Sequence, residues 1–146
     1  MSRKMVKKLE YDGQLMALLL PSDYQSEGIE FFTPGDFSQQ LGYMKRESGY
    51  IITPHLHNRV AREVHYAKEV LFIKSGKVRV DFYDNEKEYL ESWILFDGDV
   101  LLLAHGGHGF EMLETSEIIE VKQGPYAGED DKTRFPVKLP EQLEIR

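Results

Sequence analysis

Short runs of apolar residues, separated by Gly, Asn and Asp, are the main pattern along this chain. β-branched and aromatic residues are concentrated at 70–73, 78–83, 89–96, 110–113 and 117–122. Runs of this length and composition, bounded by turn residues, predict β-strands. The strands recur at intervals of about 8–12 residues, and there is no long helical periodicity. This spacing predicts an all-β sandwich or barrel.

Turn residues indicate how these strands are joined. Tyr11-Asp12-Gly13 predicts a turn between two short N-terminal strands, and Asp84-Asn85-Glu86 predicts another turn. The Lys74-Ser75-Gly76-Lys77 stretch lies between two β-rich runs, which predicts a hairpin. Residues 42–53 predict one or two strands, which end before Pro54 because proline cannot sit in the middle of a hydrogen-bonded ladder.

Composition and charge limit the class of protein. A chain of 146 residues with 41% hydrophobic residues is large enough for one domain with its own core. Its net charge of -7 argues against a nucleic-acid or anionic-membrane partner, because both bind basic surfaces. No apolar run approaches the ~20 residues of a membrane-spanning helix. The chain has no cysteine, which excludes disulfides and thiolate metal sites. We expect a cytoplasmic protein.

Residues 124–146 form a C-terminal tail with three prolines and mixed charge. This composition is compatible with a tail that wraps over the body, reaches a partner subunit or is partly disordered. The sequence leaves all three alternatives open.

Two histidines at positions i and i+2 stand out. His55 and His57 follow an apolar, β-branched stretch, and on a strand they would point to the same face. Their Cα atoms would then lie roughly 6–7 Å apart, so both imidazoles could reach one metal ion at about 2.0–2.1 Å. The alternative is a pair of ordinary surface or core histidines.

Three further features make the metal interpretation stronger. Gly49 precedes His55 by six positions, Glu69 precedes Gly76 by seven, and GDVLLLAHGGHGFEM at 98–112 carries His108 after a Gly-rich turn. Together with the HxH pair, this arrangement resembles the two sequence motifs of the cupin superfamily. The resemblance implies a single domain over residues 1–146 with a β-jelly-roll, or double-stranded β-helix. N-terminal strands at 1–41 would precede a barrel core at about 42–123. It also implies that the metal ligands are His55, His57, Glu69 and His108.

The chain departs from the cupin pattern in two places. Ala104 replaces a proline of the second motif, and eleven residues separate His57 from Glu69 where the family has three or four. The long gap contains Glu63 and His65, a rival pair of ligands. In a straight strand the Cα atoms of His65 and Glu69 would lie roughly 13 Å apart, so only one of them could bind the ion. The spacing to Gly76 favours Glu69, and the Glu63 and His65 pair stays open as an alternative.

The insert at 58–68 is expected to be a loop that lines a substrate pocket. Within it, Glu63 and His65 are the candidate catalytic residues, because either side chain can move a proton during a reaction. Three imidazoles and one carboxylate suit one divalent transition metal, which would be Fe, Mn, Ni, Zn or Co.

The stretches VLFIKSGKVRVDFYD and HGFEMLE are similar to small single-domain cupins associated with bacterial surface-polysaccharide biosynthesis. This resemblance implies a metal-dependent enzyme, of isomerase or epimerase type, that acts on a small polar molecule such as a sugar or sugar nucleotide. The alternatives are a non-catalytic ligand-binding or sensing module and an iron-dependent dioxygenase. A homodimer is expected, because jelly rolls of this size often pair through a sheet face or exchanged strands.

Overall fold

The structure, a computed structural model, describes residues 5–146. These residues divide into two compact units. The larger unit consists of the chain up to Tyr24 together with Ala67–Arg146, and the smaller unit is Gln25–Tyr66. The regular structure of the described chain consists of ten β-strands and one short 3-10 turn, and all pairings between these strands are antiparallel. The prediction of an all-β protein is therefore confirmed.

Eight of the strands belong to the larger unit and two to the smaller one. The larger unit contains β1 (Lys7–Tyr11), β2 (Gln14–Leu20), β5 (Glu69–Ser75), β6 (Lys77–Tyr83), β7 (Tyr89–Phe96), β8 (Val100–Leu103), β9 (Gly107–Met112) and β10 (Glu117–Lys122). The smaller unit contains β3 (Gly28–Phe31) and β4 (Gly42–Lys45). The 3-10 turn spans Gly128–Asp131.

The larger unit packs two open antiparallel sheets around one core. One sheet has five strands in the order β1-β2-β8-β5-β10, and the other has three in the order β7-β6-β9. Side chains alternate between the two faces of a strand, so every second residue reaches the core. The core residues include Leu71 and Ile73 from β5, Val80 from β6, and Phe82 against Trp93 with ring centroids 4.7 Å apart.

The predicted hairpin at residues 74–77 is wrong. β5 pairs with β8 and β10, whereas β6 pairs with β7 and β9, so Gly76 carries the chain from one sheet to the other. Gly76 has a φ of 107°, and a Cβ atom added there would lie 2.2 Å from Ser116 Oγ. Only glycine tolerates this conformation and this close approach. Both turns predicted at residues 11–13 and 84–86 do join antiparallel strands.

The C-terminal tail wraps over the larger unit, which decides among the three alternatives that the sequence left open. Ser92 of β7 donates its backbone N–H to Glu144 and accepts a bond from Arg146, at 2.7 and 3.0 Å. The ring of Phe135 packs edge-on against Tyr83, with centroids 5.1 Å apart. These contacts hold both the middle and the end of the tail against the three-stranded sheet.

The smaller unit is a β3–β4 pair followed by a segment without helix or strand. The loop between the two strands is held by Gln40, whose amide nitrogen donates to the carbonyl oxygens of Pro34 and Phe37 at 2.8 and 3.0 Å. Residues 46–66 hold no strand, so the predicted strands over 42–53 exist only as Gly42–Lys45.

None of the sheets in the described chain is closed into a barrel, and the jelly roll stays a prediction, as does the single cupin domain. No helix among residues 5–146 has the length and apolar character needed to cross a membrane.

Candidate functional site

Glu69 is the first residue of β5 and lies on the inward face of the five-stranded sheet. It is opposite Leu103 of β8 on one side and Lys122 of β10 on the other. Leu71 is two residues further along the same strand, on the same face, and is buried in the core. The carboxyl group of Glu69 is therefore held at the edge of the apolar core.

Glu120 of β10 is a diagonal neighbour of Glu69, whose direct cross-strand partner is Lys122. It lies opposite Leu71, which places its side chain on the same face as Glu69 and diagonally adjacent to it. The pKa of Glu69 is raised, first by burial and then by its interaction with Glu120. Two neighbouring carboxylates repel each other, so Glu120 favours the protonated form of Glu69.

Sequence reasoning did not identify Glu120. Its only signal is that a carboxylate occupies an inward position of β10, between Ile118 and Lys122. That position becomes meaningful only when the register with β5 is known.

His108 belongs to the facing sheet. It is the second residue of β9 and lies opposite Phe82, so its ring shares the inward face with the core residues Val80 and Phe82. The pKa of His108 is lowered, mainly by burial and then by the charge of Lys132, while Glu120 acts in the opposite direction. The lowered pKa favours the neutral imidazole, which is the form that can bind a metal.

Lys122 of β10 is the cationic neighbour of these residues. Lys122 lies opposite Glu69 and forms an ion pair with Asp131 at 3.5 Å. Partial desolvation lowers the pKa of Lys122, but the charges of Glu69 and Asp131 outweigh it, so the pKa is raised. Glu69, Glu120 and Lys122 of the five-stranded sheet and His108 of the three-stranded sheet therefore all lie on inward faces of the larger unit. We call Glu69, Glu120, His108 and Lys122 the inward cluster.

The HxH pair lies in the smaller unit. The rings of His55 and His57 are neighbours, with centroids 5.3 Å apart and planes at 72°. His55 Nδ1 lies 2.9 Å from the carbonyl oxygen of Thr53. A carbonyl can only accept, so Nδ1–H donates, and Nε2 is the ring nitrogen left to face a metal, as in many metal-binding histidines. The prediction that the pair sits on a strand is wrong, because residues 46–66 contain no strand.

The other two predicted residues are also in the smaller unit. His65 Nε2 and Glu63 Oε1 are 3.4 Å apart, and their side chains are 71% and 83% exposed. Residues 58–66 contain no helix or strand, so this part of the insert is a loop, as expected. The pair is open to solvent and can exchange protons with it.

The predicted ligands are therefore divided between the two units. Glu69 and His108 belong to the larger unit, and His55 and His57 to the smaller one. Among residues 5–146, no three His, Asp or Glu side chains are grouped in a way that could hold a metal ion. The complete four-ligand set stays a prediction.

Known proteins add no assignment to this site. Comparison of the chain with protein-family models, with curated proteins and with solved structures gave no match.

Proposed function

We propose that this chain is a cupin-type jelly-roll protein that binds one divalent transition metal. We further propose that it is a metal-dependent enzyme acting on a small polar molecule such as a sugar or sugar nucleotide. It would act in the cytoplasm and as a homodimer. The ligands would be His55, His57, Glu69 and His108.

One observation carries the proposal. Glu69 and His108 come from two separate sequence motifs, 39 positions apart, yet both lie on inward faces of the sheets that enclose one core. Both also interact electrostatically with the same three groups, which are Glu120, Lys122 and Lys132. Two residues selected only for their motif positions thus belong to one cluster.

The donor chemistry of these residues fits a divalent metal. The lowered pKa of His108 favours the neutral imidazole, and Glu69 lies beside a second carboxyl group, that of Glu120. Nitrogen and oxygen donors without thiolates suit iron, manganese, nickel, zinc or cobalt. A metal bound there would supply Lewis-acid polarisation of a substrate oxygen.

Glu63 and His65 are proposed as the proton-transfer residues. Their side chains are close to each other and exposed, so either can take a proton from a substrate hydroxyl and pass it to solvent. Neither needs to bind the metal for this role. The proposal separates metal binding from proton transfer, and the two can be tested independently.

The test starts from protein purified without chelator. Its metal content is measured, and sugar nucleotides, sugars and organic acids are then screened by thermal shift and for turnover. The variant His65→Ala should keep the metal and lose turnover, whereas Arg59→Ala, in the same loop, should keep both.

Saturable binding of a hit without turnover would overturn the enzyme proposal in favour of a binding or sensing module. Oxygen consumption that requires iron would identify a dioxygenase instead. If protein purified without chelator contains no metal, the proposal as a whole is overturned.

A further inference from the structure

The three-stranded sheet is open along β9. This strand pairs with β6 on one side, and no strand of the described chain pairs with its other side. Phe110 and Met112 share the inward face with Val80 and Val78, their partners on β6, which are fully buried. Phe110 and Met112 are nevertheless 37% and 48% exposed. The core of the larger unit is therefore left uncovered along the edge that β9 forms.

Residues 50–57 have the composition of a strand but form none. The segment contains β-branched and aromatic side chains, which favour strands. Its large apolar side chains are exposed to 56%, 79%, 56% and 91%, for Tyr50, Ile51, Ile52 and Leu56 in turn. Apolar surface of this extent on a soluble protein marks a contact with another molecule. The segment is therefore suited to pack against a strand edge.

The length of the segment and the position of its proline fit the open edge. Eight extended residues span about 27 Å and the six residues of β9 about 20 Å, so residues 50–57 can follow the whole edge. Pro54 lacks a backbone N–H and is tolerated only in a strand with one unpaired side. A segment added to β9 has such a side, because it becomes the new edge of the sheet.

The charges around the two surfaces are of opposite sign. Residues 107–121, which include β9 and most of β10, carry four glutamates and no lysine or arginine. Two of these glutamates pair with basic residues of the same unit, and the stretch stays acidic. Residues 50–66 carry Arg59 and Arg62 against one acid, Glu63, together with three histidines. Complementary charge steers two surfaces together and disfavours wrong partners.

We propose that residues 50–57 of a second copy of this chain add to β9 as a strand, and that the exchange is reciprocal. Each copy then gives one segment and receives one, which makes a closed, twofold-symmetric dimer. The occupant is a second copy because both surfaces are exposed in the single chain and each copy carries both. When a strand is added to an exposed edge, backbone hydrogen bonds supply affinity and side-chain contacts supply specificity.

This inference rests on the proposed function in one respect, because that function includes a homodimer. The inference identifies the two surfaces that form the dimer. It requires neither a bound metal nor a substrate, so the dimer is tested on protein that has been freed of metal with a chelator.

Sedimentation equilibrium of the full chain measures the dissociation constant of the dimer. Ile51→Asp should raise this constant at least about 100-fold, because the substitution occurs twice per dimer and a tenfold loss at each copy multiplies. Leu56→Asp should act in the same direction. Both side chains are exposed in the single chain, so the variants should stay folded. Val137→Asp, at an 83% exposed position of the tail, is the matched control and should leave the constant unchanged.

Cross-linking distinguishes strand exchange from another kind of dimer. The chain has no cysteine, so an introduced cysteine is a unique reporter. A tagged Thr53→Cys chain is co-expressed with an untagged Glu111→Cys chain and treated with a short bismaleimide. Each chain carries one cysteine, so a link between the tagged and untagged chains forms only between two copies. Tyr11→Cys on β1, used in place of Glu111→Cys, should give no such link.

Four results would overturn the inference. They are a monomeric wild type, a dimer that Ile51→Asp leaves intact, the absence of the link between tagged and untagged chains, and a dimer that dissociates only in Ile119→Asp. Ile119 is 51% exposed on the outward face of the five-stranded sheet, so the last result would assign the interface to that face.

Metal content and turnover of the untreated wild type test the proposed enzyme separately. A metal-loaded monomer that turns over a substrate would retain the enzyme and remove this interface. A strand-exchanged dimer that is purified without metal would retain the interface and remove the metal-dependent enzyme.

Discussion

Lys122 of β10 lies directly opposite Glu69 of β5, yet the pKa of Glu69 is raised rather than lowered. A cation next to a carboxylate favours its charged form. Burial and the neighbouring Glu120 outweigh that effect here. Glu69 is thus a carboxyl group that lacks sufficient compensating charge, although a lysine is its cross-strand partner. A bound cation would supply that charge.

The first prediction concerns the imidazole ligands. Wild-type protein should contain close to one divalent metal per chain, and both His57→Ala and His108→Ala should abolish metal retention, because each removes a nitrogen donor from the same ion. His105→Ala, in the same Gly-rich turn as His108, is the control and should retain the metal. Elemental analysis after dialysis measures all four proteins. Full metal content in both ligand variants would show that the assignment is wrong.

The second prediction ranks the carboxylates. Glu69→Gln should weaken metal binding more than Glu63→Gln, because Glu69 has the motif spacing and lies in the inward cluster. Glu120→Gln should fall between them, with a loss of about 10–100-fold in affinity, as expected for a group that orients a ligand. Competition with a fluorescent chelator measures the three dissociation constants. The reverse order would assign the site to Glu63 and His65.

The third prediction uses the lowered pKa of His108. The protein is first freed of metal with a chelator. Between the lowered pKa of His108 in the folded state and its ordinary value of about 6.5, the unfolded state then binds more protons than the folded state. The contribution of His108 to stability is therefore present above that pH and is lost as the pH falls through the lowered folded-state pKa.

Urea unfolding of wild type and His108→Gln at several pH values measures this contribution. The wild type should lose stability relative to the variant as the pH falls below about 6.5. The raised pKa of Glu69 has the opposite effect on stability, since folded Glu69 binds more protons than unfolded Glu69 above pH about 4.5. This contribution is present in both wild type and His108→Gln, so it does not enter the difference between them. Parallel stability curves would contradict the prediction.

The fourth prediction tests the three-stranded sheet. Asp81 is buried and accepts bonds from Arg79 Nε and Nη2 at 2.8 and 3.0 Å and from Ser92 Oγ at 2.6 Å. Asp81→Asn should lower the free energy of unfolding by about 3 kcal/mol, because it leaves Arg79 largely buried with only Glu111 at 2.7 Å to neutralise it.

Glu111→Gln is the matched control for this network. The Glu111 side chain is 57% exposed, so losing its ion pair with Arg79 should cost at most about 1 kcal/mol. Urea unfolding compares the two variants. Equal effects would show that burial does not determine the strength of the network.

The strands themselves were predictable from the sequence. The runs at 89–96 and 117–122 became β7 and β10 with the same bounds, and Tyr11-Asp12-Gly13 became the turn between β1 and β2. These features depend on alternation and turn residues, which act between neighbours along the chain. The apolar, β-branched stretch before His55 gave the same local signal but formed no strand beyond Lys45. Alternation shows that a segment can be a strand, but a strand also needs a partner.

The inward cluster also combines residues that the sequence could predict with residues that only the pairing of distant strands brings together. The sequence alone determined that the chain is all-β, and its motif spacing selected Glu69 and His108. Only the tertiary structure decided that β5 and β6 enter different sheets and that Glu120 and Lys122 lie beside Glu69. The partner of a strand is chosen by burial and hydrogen bonds between residues far apart in the chain. The carboxylate of Glu120, 51 positions from Glu69, therefore lies beside it on the same face of the sheet, although nothing in the local sequence indicates this.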